Sequence, residues 1–148
     1  MISFDTNILL PAAESTNKDH AAAADFLESL QDRDDVAISE MILLELYVLL
    51  RNPAVVPRAR TAAQSVAICD AFRHHPRWQV LGLPPETRAF HDALWLGLRK
   101  DQLARRRAYD WRSALSLLQQ GVTEFATVNL KDFTGFGFAR VWNPLTRL

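Results

Sequence analysis

The feature that most constrains this chain is a rhythm. Five short apolar, β-favouring runs, at residues 1–4, 36–38, 78–83, 124–128 and 138–142, are separated for the most part by helical patterns of ten residues or more. Parallel strands cannot be joined by a tight turn, and a crossover helix is the usual solution, so the pattern predicts a three-layer α/β/α fold with a central parallel sheet. Punctuation supports the assignment. Residues 21–30 carry Phe26, Leu27 and Leu30 at helical spacing behind the cap candidates Ser15, Thr16 and Asn17. Ser39 is placed to cap a helix through Leu50, which Asn52-Pro53 ends. Further helices are expected over 58–73, 86–100 and 109–120, the second opened by Pro84-Pro85 and the last closed by Gly121. Sheets of this kind bind ligands outside the carboxyl ends of their strands, so the polar residues that follow each strand matter most.

Composition narrows the classes of function. At 148 residues, with 49% apolar and 23% charged side chains, the chain is expected to fold as one domain over 1–148 with an ordinary core. Seventeen basic residues balance seventeen acidic ones, so any grip on a polyanion has to come from a local patch or a bound cation. The single cysteine, Cys69, excludes an internal disulfide and a thiolate zinc cluster and suits a reducing compartment, so the cytoplasm is expected. No basic region precedes an apolar stretch at the N-terminus. The densest apolar run, 41–50, is interrupted by Glu45 and too short to span a bilayer, so no membrane association is expected.

The acids then form a pattern. Asp5 follows the first strand directly, with Thr6 and Asn7 behind it to hold the carboxylate, although a turn or helix cap accounts for it equally well. Glu45 is the only charge on a helix apolar nearly all round, which predicts a buried carboxylate held by an arginine or by a cation. Asp110 shares its helical stripe with Ala114, Leu117 and Leu118, so it points at core or cleft; a pairing with Arg107 or Arg112 is the structural alternative. Asn129 and Asp132 follow another strand end and are otherwise ordinary turn residues. Oxygen donors without histidine or cysteine suit a hard cation, Mg2+ or Mn2+, of the kind that serves phosphoryl chemistry.

The ordered set resembles the PIN-domain family, and within it the VapC-type toxins of bacterial toxin–antitoxin pairs. The resemblance is carried by Phe4-Asp5-Thr6-Asn7, by Ser39 with Glu45 six residues later, and by Asp110 ahead of Ala114 and Gly121. Thr127-Val128-Asn129-Leu130-Lys131-Asp132-Phe133 and Trp142-Asn143-Pro144 complete it, so it runs along nearly the whole chain. It implies a PIN-like fold and a metal-dependent endoribonuclease in which Asp5, Glu45 and Asp110 bind Mg2+ or Mn2+ and a metal-activated water cuts an RNA phosphodiester. It also implies a homodimer and a VapB-like antitoxin that blocks the cleft. Where many members carry a fourth Asp this chain has Asn129, with Asp132 three residues on, so Asn129 is the candidate fourth ligand and Asp132 the candidate fourth catalytic acid.

Three further readings complete the set. Thr6, Asn7 and Thr127 are expected to support the acids, and Arg105, Arg106 and Arg107, the one dense basic segment, to meet the RNA backbone. Trp95, Tyr109 and Trp111 are expected in the core or a dimer interface rather than stacked on bases, the histidines on the surface or in packing roles, and Cys69 inert. The competing functions are a PIN-fold module without catalysis, suggested by Asn129, and a haloacid-dehalogenase-type phosphatase, which is disfavoured because Asn7 stands where its second Asp is needed.

Overall fold

The computed structural model describes residues 1–100 and 105–146. Five three-residue strands, β1 (Ile2–Phe4), β2 (Ala37–Ser39), β3 (Gln79–Leu81), β4 (Glu124–Ala126) and β5 (Arg140–Trp142), pair only in parallel. β1, β4 and β5 form one ladder and β2 and β3 another; a single parallel bridge, Ile2 to Val36, joins them into the order β3-β2-β1-β4-β5. The Ile2 N–H donates to Asp35 O at 2.8 Å at this seam. Sequence order reverses between β1 and β4, and such a reversal opens the crevice in which parallel sheets bind ligands.

Seven helices complete the described chain: α1 (Thr6–Ala13), α2 (His20–Leu30), α3 (Glu40–Leu50), α4 (Ala62–Arg73), α5 (Thr87–Gly97), α6 (Arg107–Gln119) and α7 (Leu130–Phe133). Together with the sheet they make the expected three-layer α/β/α fold. The caps explain several boundaries. The Ser39 hydroxyl accepts from Met41 N at 3.2 Å, and Thr61 with Gln64 forms a capping box that starts α4 later than residue 58. At the end of α6, Gly121 takes φ +88°, where a side chain would be strained, and the N–H of Val122 returns to Leu117 O at 3.0 Å as the chain turns into β4.

Two helices have no counterpart in the sequence reading. α1 is eight residues long with Pro11 inside it, and a proline both removes a helical donor and reads as a breaker. α7 is a single turn, too short to show a period. The strands also end sooner than their apolar runs. Trp78, expected in β3, is instead a buried core residue whose indole donates to Leu30 O at 3.1 Å.

The main core lies around the sheet. Phe4 meets Phe26 and Trp78 edge-on at 6.5 and 5.4 Å between ring centroids, and Phe125 lies 4.6 Å from Phe133 and 5.1 Å from Phe138. A smaller cluster of Phe90, Leu94 and Leu115 joins α5 to α6. These contacts fix the carboxyl ends of β1 and β4 beside the first turn of α6.

Candidate active site

Asp5 leaves β1 and becomes the N-cap of α1, so the cap and the functional reading of this residue coincide. Its main-chain N–H donates to Ala126 O at 2.9 Å, which ties the ends of β1 and β4 together at the reversal point. Its Oδ1 accepts from Thr6 N, and its Oδ2 accepts from both Asn7 Nδ2 and the Thr127 hydroxyl, all three at 2.7 Å. Thr127 is held in turn: its oxygen also accepts from Asn7 Nδ2 at 3.1 Å and from Asn129 N at 3.0 Å. Asn7 Oδ1 accepts from Val128 N at 3.1 Å. The expected supporting trio of Thr6, Asn7 and Thr127 thus meets around one carboxylate.

Glu45 enters through Thr6, whose hydroxyl donates to Glu45 Oε2 at 2.7 Å while its backbone N–H holds Asp5. One residue therefore spaces two acids. The structure corrects one expectation, because Glu45 is exposed rather than buried. α3 carries more apolar side chains than its inner face can cover, and Leu44 and Val48 remain 65% and 56% exposed around it. The alternative of an arginine partner is not met: among the described residues none of Asp5, Glu45 and Asp110 makes an ion pair.

Asp110 lies in the first turn of α6, half-buried. Arg107, one turn earlier, is directed away from it toward α7. Its Nη2 donates to the Asp132 carbonyl at 2.6 Å, its Nε lies 3.9 Å from Asp132 Oδ1, and its guanidinium covers the Phe136 ring at 4.9 Å. Of the three arginines assigned to the RNA backbone, Arg105 and Arg106 are exposed and Arg107 is bound inward. Asn129 is exposed, and among the described residues its side chain makes no hydrogen bond, whereas Asp132 stands close enough to Asp110 to perturb it.

The electrostatics follow from this crowding. Asp5 is pushed from its usual 3.8 to about 6, chiefly by burial and further by the charges of Glu45 and Asp110, against the hydrogen bonds from Thr127 and Thr6. The Asp110 carboxyl is also raised, first by burial and then by Asp132 and Glu45, with Arg107 opposing. Glu45 and Asp110 thus act on Asp5, and Asp132 and Glu45 act on Asp110, so acids from the end of β1 and from α3, α6 and α7 crowd one region. As they stand, no three carboxylate, histidine or cysteine side chains among the described residues are close enough to enclose an ion. The donor set nevertheless fits a hard divalent cation: it is all oxygen, it carries excess negative charge, and Mg2+ keeps several waters rather than demanding a closed protein cage.

The remaining residues divide between surface and core. Trp95 and Tyr109 are 66% and 67% exposed and belong to no core, while Trp111 is half-buried against Phe136. Cys69 is buried, its thiol donating to Leu43 O at 3.4 Å and raised by burial. His75 stacks on Trp78 at 4.1 Å and His74 packs its ring nitrogen against Asp70 O, the packing roles expected of them. No helix among the described residues is long and apolar enough to cross a membrane.

No family model matches the sequence. Ribonuclease VapC24 of Mycobacterium tuberculosis, in strains CDC 1551 / Oshkosh and ATCC 25618 / H37Rv, is 45% identical over 146 residues, spanning 99% of this chain and 98% of the relative. Among solved structures, M. tuberculosis VapC20, described as a sarcin-ricin loop cleaving toxin, superposes with a TM-score of 0.69 at 18% identity over 94% of this chain and 97% of its own. VapBC2 from Rickettsia felis, bound to a DNA fragment from its promoter, gives 0.66 at 20% identity over 97% and 98%. FitAB bound to a DNA fragment gives 0.62 at 17% identity over 100% and 98%. At these identities the solved structures speak to the fold alone.

Proposed function

The chain belongs to the VapC ribonuclease family, and from that premise we propose that it is a Mg2+- or Mn2+-dependent endoribonuclease, the toxin of a VapBC pair, acting in the cytoplasm on RNA. The observation that carries the proposal is Asp5: a half-buried carboxylate, pinned at both oxygens, with acids for neighbours and no cation paired to it among the described residues. Asp5, Glu45 and Asp110 would hold the ion, with Asp132 at the edge of the cluster and Asn129 able to offer only an uncharged oxygen. A divalent ion bound there would lower the pKa of water and polarise a scissile phosphate.

The protein's own contribution is positioning. Thr6 sets the spacing of Asp5 and Glu45 through two hydrogen bonds, and Thr127 and Asn7 fix the orientation of Asp5 before substrate arrives. Arg107 ties the turn bearing Asp132 to α6, which bears Asp110. Asn7 also removes the phosphatase alternative: it stands where the second Asp of that mechanism is required and holds Asp5 instead.

The same reading includes a homodimer and a VapB-like antitoxin as partners, the second supported by the VapBC2 and FitAB complexes among the structures of the same fold. The test is cleavage of labelled RNA by purified protein. Cutting is expected with Mn2+ or Mg2+, lost in chelator and lost in Asp5→Asn. Cutting that survives either change would refute the proposal, and a folded protein inactive under all conditions would instead support the non-catalytic module.

A further inference from the structure

The first turn of α6 carries a side chain that the acid cluster does not use. Tyr109 directly precedes Asp110, and successive helical residues point about 100° apart, so Asp110 turns toward the acids while Tyr109 turns outward and stays 67% exposed. Arg112, one turn on, lays its guanidinium over the Tyr109 ring at 5.6 Å. Arg105 and Arg106 are exposed just before it. On the turn that Arg107 holds against α6, Val128 and Leu130 are also exposed, one on each side of Asn129.

Apolar and aromatic surface at the rim of an acidic centre contributes nothing to holding a phosphate. A flat ring backed by a cation matches the face of an unpaired base, which every nucleotide presents beside its phosphodiester. We propose that Tyr109, with Arg112 against it, is a stacking subsite for a nucleobase of the RNA next to the bond that is cut. The proposal rests on the ribonuclease reading and adds a substrate-binding residue to it.

The experiment measures cleavage of a labelled, mixed-sequence single-stranded RNA with Mn2+ by the full chain and three variants. Tyr109→Ala is expected to lower kcat/KM roughly 10- to 100-fold, mainly through KM, the range for removing one base–aromatic stack. Tyr109→Phe should match wild type. Trp95→Ala, equally exposed on α5 but with no cation over its ring among the described residues, should also match it. Once the cut is mapped, an abasic nucleotide beside it should bring wild type down to the Tyr109→Ala level and cost that variant nothing more. Wild-type rates in Tyr109→Ala, an equal loss in Trp95→Ala, or a loss that persists on the abasic substrate would each overturn the subsite. So would a Tyr109→Ala protein that cuts normally but no longer associates with a second copy, which would make the ring a protein contact. These results leave wild-type cleavage intact; a wild type that neither binds nor cuts RNA refutes the ribonuclease reading itself, and the subsite with it.

Discussion

Replacing Asp5 with asparagine should make the metal-free protein more stable while removing its activity. The carboxyl rises from 3.8 to about 6 in the folded state. At neutral pH the ionised group therefore opposes folding by roughly 3 kcal/mol. Asparagine removes the charge; its amide oxygen can keep the bonds from Asn7 and Thr127 at the Oδ2 position, which turns its NH2 toward the Thr6 N–H that now donates to Oδ1. One facing donor costs about 1 to 1.5 kcal/mol, the worth of one hydrogen bond. A net gain of about 1 to 2 kcal/mol remains, a rise of roughly 2 to 8 °C in Tm for a domain of this size.

The pH dependence has a definite direction. Because the folded pKa lies above the unfolded one, the stability associated with protonated Asp5 is complete below about 4 and is lost as pH rises through about 6. Thermal unfolding of both proteins in chelator should therefore show the variant ahead at pH 7.5 and its advantage gone by pH 4. Adding Mn2+ should reverse the order, because a ligand that binds only the folded state stabilises the protein that retains the site. A variant less stable than wild type at pH 7.5 in chelator, or a difference independent of pH, would refute the reasoning.

Other consequences can be measured on the same protein. Arg60 donates to Glu14 and holds its carboxyl below the usual range; Arg60→Ala should cost about 1 kcal/mol in denaturant unfolding, since the Thr16 N–H and hydroxyl still donate to the carboxylate. Thr127→Val removes a donor to Asp5 and should leave the fold intact by circular dichroism while lowering kcat by about 10-fold or more, the scale of losing one orienting contact. A Cβ at Gly97 would lie 2.4 Å from Trp111 Nε1, so Gly97→Ala should lower stability by roughly 1 to 3 kcal/mol through overpacking.

Much of the fold was legible because strand and helix periods differ and because Ser39 and Gly121 act locally as cap and terminator. Asp5, Asp110 and Thr127 could be located because each sits immediately after a strand or at a helix start, where sequence position alone fixes placement in the sheet. Glu45 was found for a reason that proved wrong: an apolar surround in sequence does not mean burial when a helix leaves Leu44 and Val48 facing solvent. α1 was hidden by Pro11, and its cap, Asp5, was visible without the helix it starts. The inward turn of Arg107 depends on α6 meeting a one-turn helix twenty-five residues later, and no local pattern encodes that contact.

Anomalous diffraction from crystals grown with Mn2+ addresses the shared cation itself. A manganese peak bonded to oxygens of Asp5, Glu45 and Asp110 is the predicted result. Manganese bound elsewhere, or these three carboxylates unchanged with no metal density between them at saturating Mn2+, would contradict it.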